Sequence, residues 1–404
     1  MSMNETPSSE RVHISFFGCR NAGKSSLVNA VTGQTVSVVS PVKGTTTDPV
    51  SKTMELLPLG PVVIIDTPGF DDTGELGSLR VERTRQILRR TDLAVLVADA
   101  SVGLCPTDRE LLRLFGEREI PCLVALNKWD LAQRRPDADV PMEPVSAVTG
   151  FGVKELKERL ARMLPAKTRR RRLAADLADR GDCVVLVCPM DDAAPKGRLI
   201  LPQQQVIRDL LEAGALPLVT RETELTEAMA ALREPPKLVV TDSQVFRAVA
   251  PLVPEEVPLT SFSILMARYK GFLRTAIEGI AALEGLQDGG RVLMAEGCTH
   301  HRQCGDIGTV KIPRWLREHT GKSLTVEACS GQDFPEDLRG YDVVIHCGGC
   351  MVSEKEMQAR RDIAVRQGVP FTNYGLTIAH ITGVLERSLR PFPEEHALLE
   401  GAPG

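Results

Sequence analysis

The sequence predicts an α/β protein of three consecutive α/β domains with mainly parallel sheets. Three observations carry this. Short β-branched runs alternate with longer amphipathic stretches, three times over. A length of 404 residues suits two or three domains rather than one. A glycine-rich phosphate-loop pattern stands between the first strand candidate and the helix that follows it.

The first block spans residues 8–168. Its strand candidates are "RVHISFF", "VVIID", "LAVLVAD", "CLVALN" and "EPVSA", and the helix "GVKELKERLARMLP" closes it. A basic run follows, Lys167 and Arg169 to Arg172, read as a solvated linker or helix face. The second block, 180–262, alternates "CVVLVC", "ALPLVT", "KLVVTD" and "VPLTS" with the helices "QQQVIRDLLEA" and "ELTEAMAAL". It has no catalytic constellation, which suits packing or dimerisation. The third block, 263–395, opens with one long helix, "ILMARYKGFLRTAIEGIAAL". The strands "RVLMAE", "LTVEA", "DVVIH" and "PFTN" follow.

Composition narrows the function classes. The chain is 43% hydrophobic and 25% charged, enough apolar material for real cores. Its net charge of −4 and its 4% aromatic content speak against nucleic acid as a partner. No apolar run approaches the ~18 residues of a membrane span. The polar start "MSMNETPSSE" does not look like a signal peptide. Ten cysteines in a chain this long are too sparse for a disulfide framework, so the expectation is a reducing cytoplasm.

Residues 18–25, "GCRNAGKS", follow a strand and open a helix. Gly18 and Gly23 let the backbone curl its N–H groups toward phosphate oxygens. Lys24 reaches the terminal phosphates and Ser25 ligates magnesium, while Asn21, Ala22 and Ser26 complete the nucleotide-binding stretch. In "DTPG", Asp66 holds magnesium through water and Gly69 meets the terminal phosphate. In "NKWD", Asn127 and Lys128 line the base site, and Asp130 offers two acceptors to the two donors on one edge of guanine. Adenine would leave those lone pairs unmet. Ser146 and Ala147 follow the next strand, where a backbone N–H can meet the guanine carbonyl. The order of these pieces at strand ends points to GTP.

With these motifs in place, the first block resembles the translation-factor-related GTPases of the tRNA-modification and Era type. "GTTTD", residues 44–48, looks like their first switch, with Thr46 as a magnesium ligand. Asn21 sits where potassium-activated members place a potassium ligand. Phe70 stands where Ras-like enzymes carry a water-orienting glutamine. The resemblance therefore implies slow hydrolysis of GTP to GDP and phosphate, stimulated by potassium, which adds positive charge beside the phosphates. Asp71 and Asp72 have no assigned role, and no catalytic side chain is named.

A second constellation reads C-x-H, then 45 residues, then H-C-x-x-C, as Cys298, His300, His346, Cys347 and Cys350. The two segments follow the first and third strands of the last block. Loops at the carboxyl ends of parallel strands share one edge, so the segments can meet. The spacing fits zinc as well as a 4Fe-4S cluster. His301, Cys304, His319, His380 and His396 carry no assigned role. Cys329 is read as a buried small residue, Cys105, Cys122, Cys183 and Cys188 as structural, and Cys19 as a variable loop position.

A GTPase, a spacer domain and this cysteine–histidine pattern together are similar to the FeFe-hydrogenase maturation GTPases, the HydF family. "DIGTVKIPRWL" at 306–316 and "NYG" at 373–375 also look like that family. The resemblance implies that the middle domain forms a homodimer. It implies a 4Fe-4S cluster on Cys298, Cys347 and Cys350, with His300 and His346 as candidates for the fourth site. It further implies a scaffold and carrier for a di-iron precursor, working with two radical-SAM maturases and delivering to apo FeFe-hydrogenase. A different reading is an RNA- or ribosome-associated GTPase with a structural zinc module, supported by the Era-like switch and the basic run.

Overall fold

The computed structural model describes residues 7–33, 50–68, 84, 86–131, 140–163, 172–190, 199–297, 306–331 and 333–400. Thr46, Gly69, Cys298 and His300 lie outside these residues, as do Phe70, Asp71, Asp72, His301, Cys304 and the basic run up to residue 171. The chain forms two compact units, Met1–Arg169 and Arg170–Gly404.

The first unit is a six-stranded sheet. Its strands are β1 (Val12–Phe17), β2 (Val50–Leu56), β3 (Gly60–Asp66), β4 (Leu93–Asp99), β5 (Cys122–Asn127) and β6 (Met142–Pro144). They lie in the order β2-β3-β1-β4-β5-β6, and only β2 runs antiparallel to its neighbour. Strands buried on both faces show no polar alternation, which explains their continuous apolar runs. Their residues still divide by period two. Leu93, Val95 and Val97 face one core with Leu27, Val28 and Val31 of helix α1 (Lys24–Thr32). Ala94, Leu96 and Ala98 face the other core with Leu111 and Phe115 of helix α2 (Pro106–Glu117). Helix α3 (Val153–Met163) closes the unit with Leu156 and Leu160 inward.

Two expectations shift here. β2 does not appear among the sequence-expected strands. It is an edge strand with exposed Ser51, Thr53 and Glu55, and Lys52 interrupts its apolar face, so its pattern is weak. The strand expected at "EPVSA" is the short β6, which starts at Met142 and ends at Pro144.

The second unit holds two parallel four-stranded sheets. β7 (Cys183–Val187), β8 (Leu216–Thr220), β9 (Leu238–Thr241) and β10 (Leu259–Ser261) lie in the order β10-β9-β7-β8. β11 (Arg291–Glu296), β12 (Thr325–Ser330), β13 (Val343–His346) and β14 (Phe371–Asn373) lie in the order β12-β11-β13-β14. The main helices are α4 (Leu201–Ala213), α5 (Phe262–Tyr269), α6 (Leu273–Glu278), α7 (Ile312–Thr320), α8 (Glu354–Arg366) and α9 (Tyr374–Ile381). One buried core contains Val185 and Val240 of the first sheet and Met294 and Ile345 of the second. Helix α5 joins them by packing on both β10 and β14, with Ile264, Leu265, Met266 and Ala267 fully buried.

The single helix expected from Ile264 to Leu283 is broken. α5 stops at Tyr269, and Gly271 at φ 76° turns the chain through a left-handed conformation before α6. Residues Gly279–Leu283 then tighten into a 3₁₀ turn. A Cβ on Gly279 would sit 2.3 Å from the Phe371 carbonyl oxygen, so this turn lies directly on β14. Continuous helical periodicity marked the buried face but could not mark the turn between two packed segments. No helix among the described residues is long and apolar enough to cross a membrane.

The Gly279 contact gives a direct expectation. Gly279→Ala should cost about 1–3 kcal/mol through overpacking against backbone. Urea unfolding followed by circular dichroism would check this.

Candidate functional sites: a nucleotide grip and a thiol edge

Both candidate sites lie at the carboxyl ends of parallel strands, where neighbouring loops converge. In the first unit, β1 runs into the glycine-rich loop. Gly18 has φ 145°, and a Cβ there would meet the Val97 carbonyl oxygen at 2.2 Å. Gly23 has φ 81°, and a Cβ would meet Asn127 Nδ2 at 2.3 Å. The two glycines thus permit both the curl of the loop and its close seat on β4 and β5. Asn21 adopts φ 62° at an exposed position.

Lys24 and Asp66 are buried at the centre of this grip. Ser25 Oγ donates to Asp66 Oδ2 at 2.7 Å, and Lys24 Nζ lies 3.9 Å from Asp66 Oδ1. Asp66 Oδ1 has no hydrogen-bond partner among the described residues. A hydroxyl beside a buried carboxylate with acceptor capacity left over is the donor set a magnesium ion takes, directly or through water. Ser26 follows in the first turn of α1, and buried Ala22 packs into the core beneath the loop.

Asn127 is 2% exposed and ties three segments together. Its Nδ2 donates to the Ala22 carbonyl at 2.9 Å and to the Gly23 carbonyl at 3.3 Å. Its Oδ1 accepts from Ala147 N–H at 3.0 Å. Lys128, at φ 60°, donates from Nζ to Asp99 Oδ2 at 2.6 Å. Burial would raise the Asp99 carboxyl, but hydrogen bonds from Lys128 and Ser101 outweigh it and hold the group below its usual range. Asp130 stands exposed on the 3₁₀ turn Trp129–Leu131, open to a base. Ser146 is buried, and its Oγ accepts from Thr149 N–H at 3.2 Å, shaping the loop that presents Ala147.

One pairing was not visible in sequence. Cys19 of the loop and Cys105 lie side by side, with Cα atoms 7.6 Å apart, wider than an unstrained disulfide spans. Cys105 is also the N-cap of α2 and accepts from Asp108 N–H at 3.4 Å. Reading Cys19 as a variable position and Cys105 as a structural thiol missed this, because 86 residues separate them and only the fold brings them together.

In the second unit, β12, β11 and β13 end in register: Ala295 pairs with Cys329 on one side and His346 on the other. Cys347 continues from β13 with its N–H bonded to the Ala295 carbonyl at 2.8 Å. Its Sγ accepts from Gly297 N–H at 3.1 Å and Gly349 N–H at 3.4 Å. Gly297, the residue before Cys298 in the sequence, thus lies beside the Cys347 sulfur. Between Cys347 and Cys350 the chain needs its glycines. Gly349 has φ 68°, and a Cβ would meet Met357 Sδ at 2.7 Å. Burial pushes the Cys347 thiol up, while the two backbone donors favour its thiolate. Two N–H groups aimed at one sulfur suit a metal-bound thiolate.

His346, a candidate for the fourth site, has both ring nitrogens engaged within the protein. The ring is fully buried. Its Nδ1–H donates to the Cys347 carbonyl at 2.8 Å, and its Nε2 accepts from Arg360 Nη1 at 3.1 Å. Burial and the Arg360 charge push it down to about 3, so the ring is neutral and both nitrogens are engaged. The Arg360 guanidinium also bonds Glu356 Oε1 and the Gly331 carbonyl.

Several residues here have no role assigned from sequence, although Asp306, Asn373 and Tyr374 fall within the family-like stretches 306–316 and 373–375. Glu296, at the end of β11, is 3% exposed and accepts from the Tyr374 hydroxyl at 3.4 Å. Burial raises the Tyr374 phenol well above its usual range, reinforced by the nearby Cys347, Glu296, Asp306 and Cys329. Asp306 caps the turn at Ile307–Lys311 through Thr309 N–H at 2.8 Å. Asn373 caps α9 and anchors to the Ser263 carbonyl at 3.0 Å. Cys329 is half-buried with its thiol pushed up to about 11 by burial. Burial likewise takes Cys122 and Cys188 to about 12, in keeping with structural roles.

Comparison with known proteins now decides the family. Residues 173–271 match the hydrogen maturase F dimerization domain, and residues 274–391 match the hydrogen maturase F tetramerization domain. The two spans cover more than half of the chain. It belongs to the hydrogen maturase F family. Residues 13–128 match the 50S ribosome-binding GTPase family. In this hydrogen maturase F chain the two matched spans meet at the turn around Gly271.

Relatives of the GTPase type include the tRNA modification GTPase MnmE of Heliobacterium modesticaldum, 38% identical over 156 residues, covering 36% of this chain and 33% of that protein. The GTPase Der of Wolinella succinogenes is 34% identical over 184 residues, covering 42% and 38%. The chain thus spans about a third of the length of the curated relatives it matches. Among solved structures, the G domain of the T. maritima FeoB iron transporter is 27% identical, covers 39% of this chain and all of that one, and has a TM-score of 0.31. Aquifex aeolicus Era bound to GDP·AlF4⁻ is 21% identical, with coverages of 54% and 97% and a TM-score of 0.35.

Asn127 offers the sharpest test of the grip. Asn127→Ala removes three hydrogen bonds at a buried junction, each worth about 1 kcal/mol. Guanine nucleotide affinity should fall on the order of a hundredfold, measured by titration calorimetry.

Proposed function

We propose that this protein is a GTP-binding and GTP-hydrolysing scaffold that holds a 4Fe-4S cluster and a di-iron precursor and delivers the precursor to apo FeFe-hydrogenase. The observation that carries the reading is the Cys347 sulfur, held by the N–H groups of Gly297 and Gly349. Cys298, Cys347 and Cys350 would hold the cluster. His300 or His346 would complete the fourth site, and His300 is the favoured one because both His346 nitrogens already have partners. Ser25, Asp66 and Thr46 would hold magnesium beside GTP, with Gly69 at the terminal phosphate, and Asn21 would ligate potassium. Work alongside two radical-SAM maturases belongs to the same reading, as does cytoplasmic location. The middle domain would form the homodimer. Its edge strand β8 presents Leu216 and Val219 at 59% and 43% exposure, apolar surface that a partner copy would cover.

Anaerobic purification tests the reading. Brown protein should carry iron and sulfide in equal amounts, near four of each per chain, with a reduced-state EPR signal. A colourless protein with one zinc and salt-sensitive RNA binding would overturn it in favour of an RNA-associated GTPase. Cys347→Ala should abolish the cluster and leave GTP hydrolysis nearly unchanged. His346→Leu should keep the iron while lowering stability by about 1–3 kcal/mol, because Arg360 loses an acceptor. Asp130→Asn should relax guanine selectivity with cluster iron intact. Hydrolysis should be slow and faster in potassium than in sodium; equal rates would remove potassium from the site.

A further inference from the structure

We propose that Glu284, His319 and His380 form a second metal site, which takes a divalent transition-metal ion of the zinc class. Three separate segments of the last domain supply these side chains. Glu284 follows the 3₁₀ turn Gly279–Leu283, His319 lies in the last turn of α7, and His380 lies near the end of α9. Both imidazoles aim Nε2 at one carboxylate oxygen. His319 Nε2 lies 2.9 Å and His380 Nε2 lies 2.6 Å from Glu284 Oε1. The rings stand edge to face with centroids 5.3 Å apart. All three donor atoms fall within 4.8 Å of one another.

Those separations lie within reach of what a small tetrahedral ion requires. With metal–ligand bonds of about 2.0–2.1 Å, ligand atoms stand roughly 3.3 Å apart. The nitrogen-to-oxygen distances of 2.9 and 2.6 Å would widen by roughly 0.4 and 0.7 Å to admit the ion. Two imidazoles and one carboxylate form a borderline-soft donor set, which favours zinc, cobalt or nickel over magnesium or calcium. The site faces water: the His319, His380 and Glu284 side chains are 26%, 21% and 62% exposed. A solvent molecule can therefore fill the fourth position. Hydrogen bonds from His319 and then His380 hold the Glu284 carboxyl below its usual range, so its charge is present to receive a cation.

The position is distinct from the thiol edge. α7 and α9 run back from the carboxyl edge of their sheet, and Glu284 precedes the amino end of β11. The three side chains thus sit at the end of the strands opposite Cys347. An ion there would clip the far ends of α7 and α9, which pack together, to the turn that enters the sheet. Binding to the folded state alone adds stability by mass action.

The test uses the full-length, cluster-loaded protein, stripped of loose metal by a chelator under anaerobic conditions. Zinc and cobalt(II) are titrated into wild type and into His319→Ala/His380→Ala. The expected result is one equivalent fewer in the double variant, with cluster iron unchanged. The cobalt form of wild type should show visible bands of a tetrahedral site that the double variant lacks, without thiolate charge transfer. Equal equivalents in the two proteins would overturn the site. Should the double variant not fold, Glu284→Gln decides, since its amide oxygen still accepts hydrogen bonds. A tenfold or greater loss of zinc affinity supports the site, and unchanged affinity overturns it. The outcome is independent of cluster content, so this site and the scaffold reading can fail separately.

Discussion

The thiol edge depends on a neutral, fully buried histidine. His346 donates to the carbonyl of Cys347 and accepts from Arg360, whose guanidinium also reaches Gly331 beyond β12 and Glu356 on α8. One side-chain chain therefore fixes the ends of two strands and a helix. A buried arginine is costly unless each donor is matched, and here the matching groups are the ones that set the course of the Cys-Gly-Gly-Cys turn. Phe334 lies under the guanidinium at 5.2 Å and excludes water from it. The histidine of the motif thus supports the cysteines by orientation.

The first unit uses the same device with an amide in place of an imidazole. Asn127 is a buried side chain at a strand end that satisfies backbone groups from two other loops. It holds the phosphate loop and the Ser146–Ala147 loop at a fixed separation, which preorganises them for one ligand. Gly23 presses its backbone against that amide, so glycine and asparagine are required together. In both units a polar residue at the carboxyl end of a central strand does structural work that lets its sequence neighbours do chemistry.

Much of this was legible in the sequence because it is local. Among the described residues every strand but β2 overlaps a run expected from the sequence, and the phosphate loop announces itself through strand, glycines and helix. β2 escaped because one lysine and an edge position blur its pattern. The helix after Ser261 was drawn too long because Gly271 is a single residue within a continuous apolar periodicity. Glu296, Tyr374 and Arg360 escaped because their significance lies in what they meet across the sheet. The Cys19–Cys105 pair escaped for the same reason.

By itself the sequence determined the fold class, the GTPase motifs in their order at strand ends, and the family, since each is written in residue type and spacing along the chain. Only the tertiary structure decided which atoms are committed. It spent both nitrogens of His346 on internal hydrogen bonds, aimed two backbone donors at the Cys347 sulfur, and gathered Glu284, His319 and His380 from three segments. Spacing constrains which residues can approach one another along a strand or helix. Direction, burial and competition for a lone pair are set only when distant segments pack.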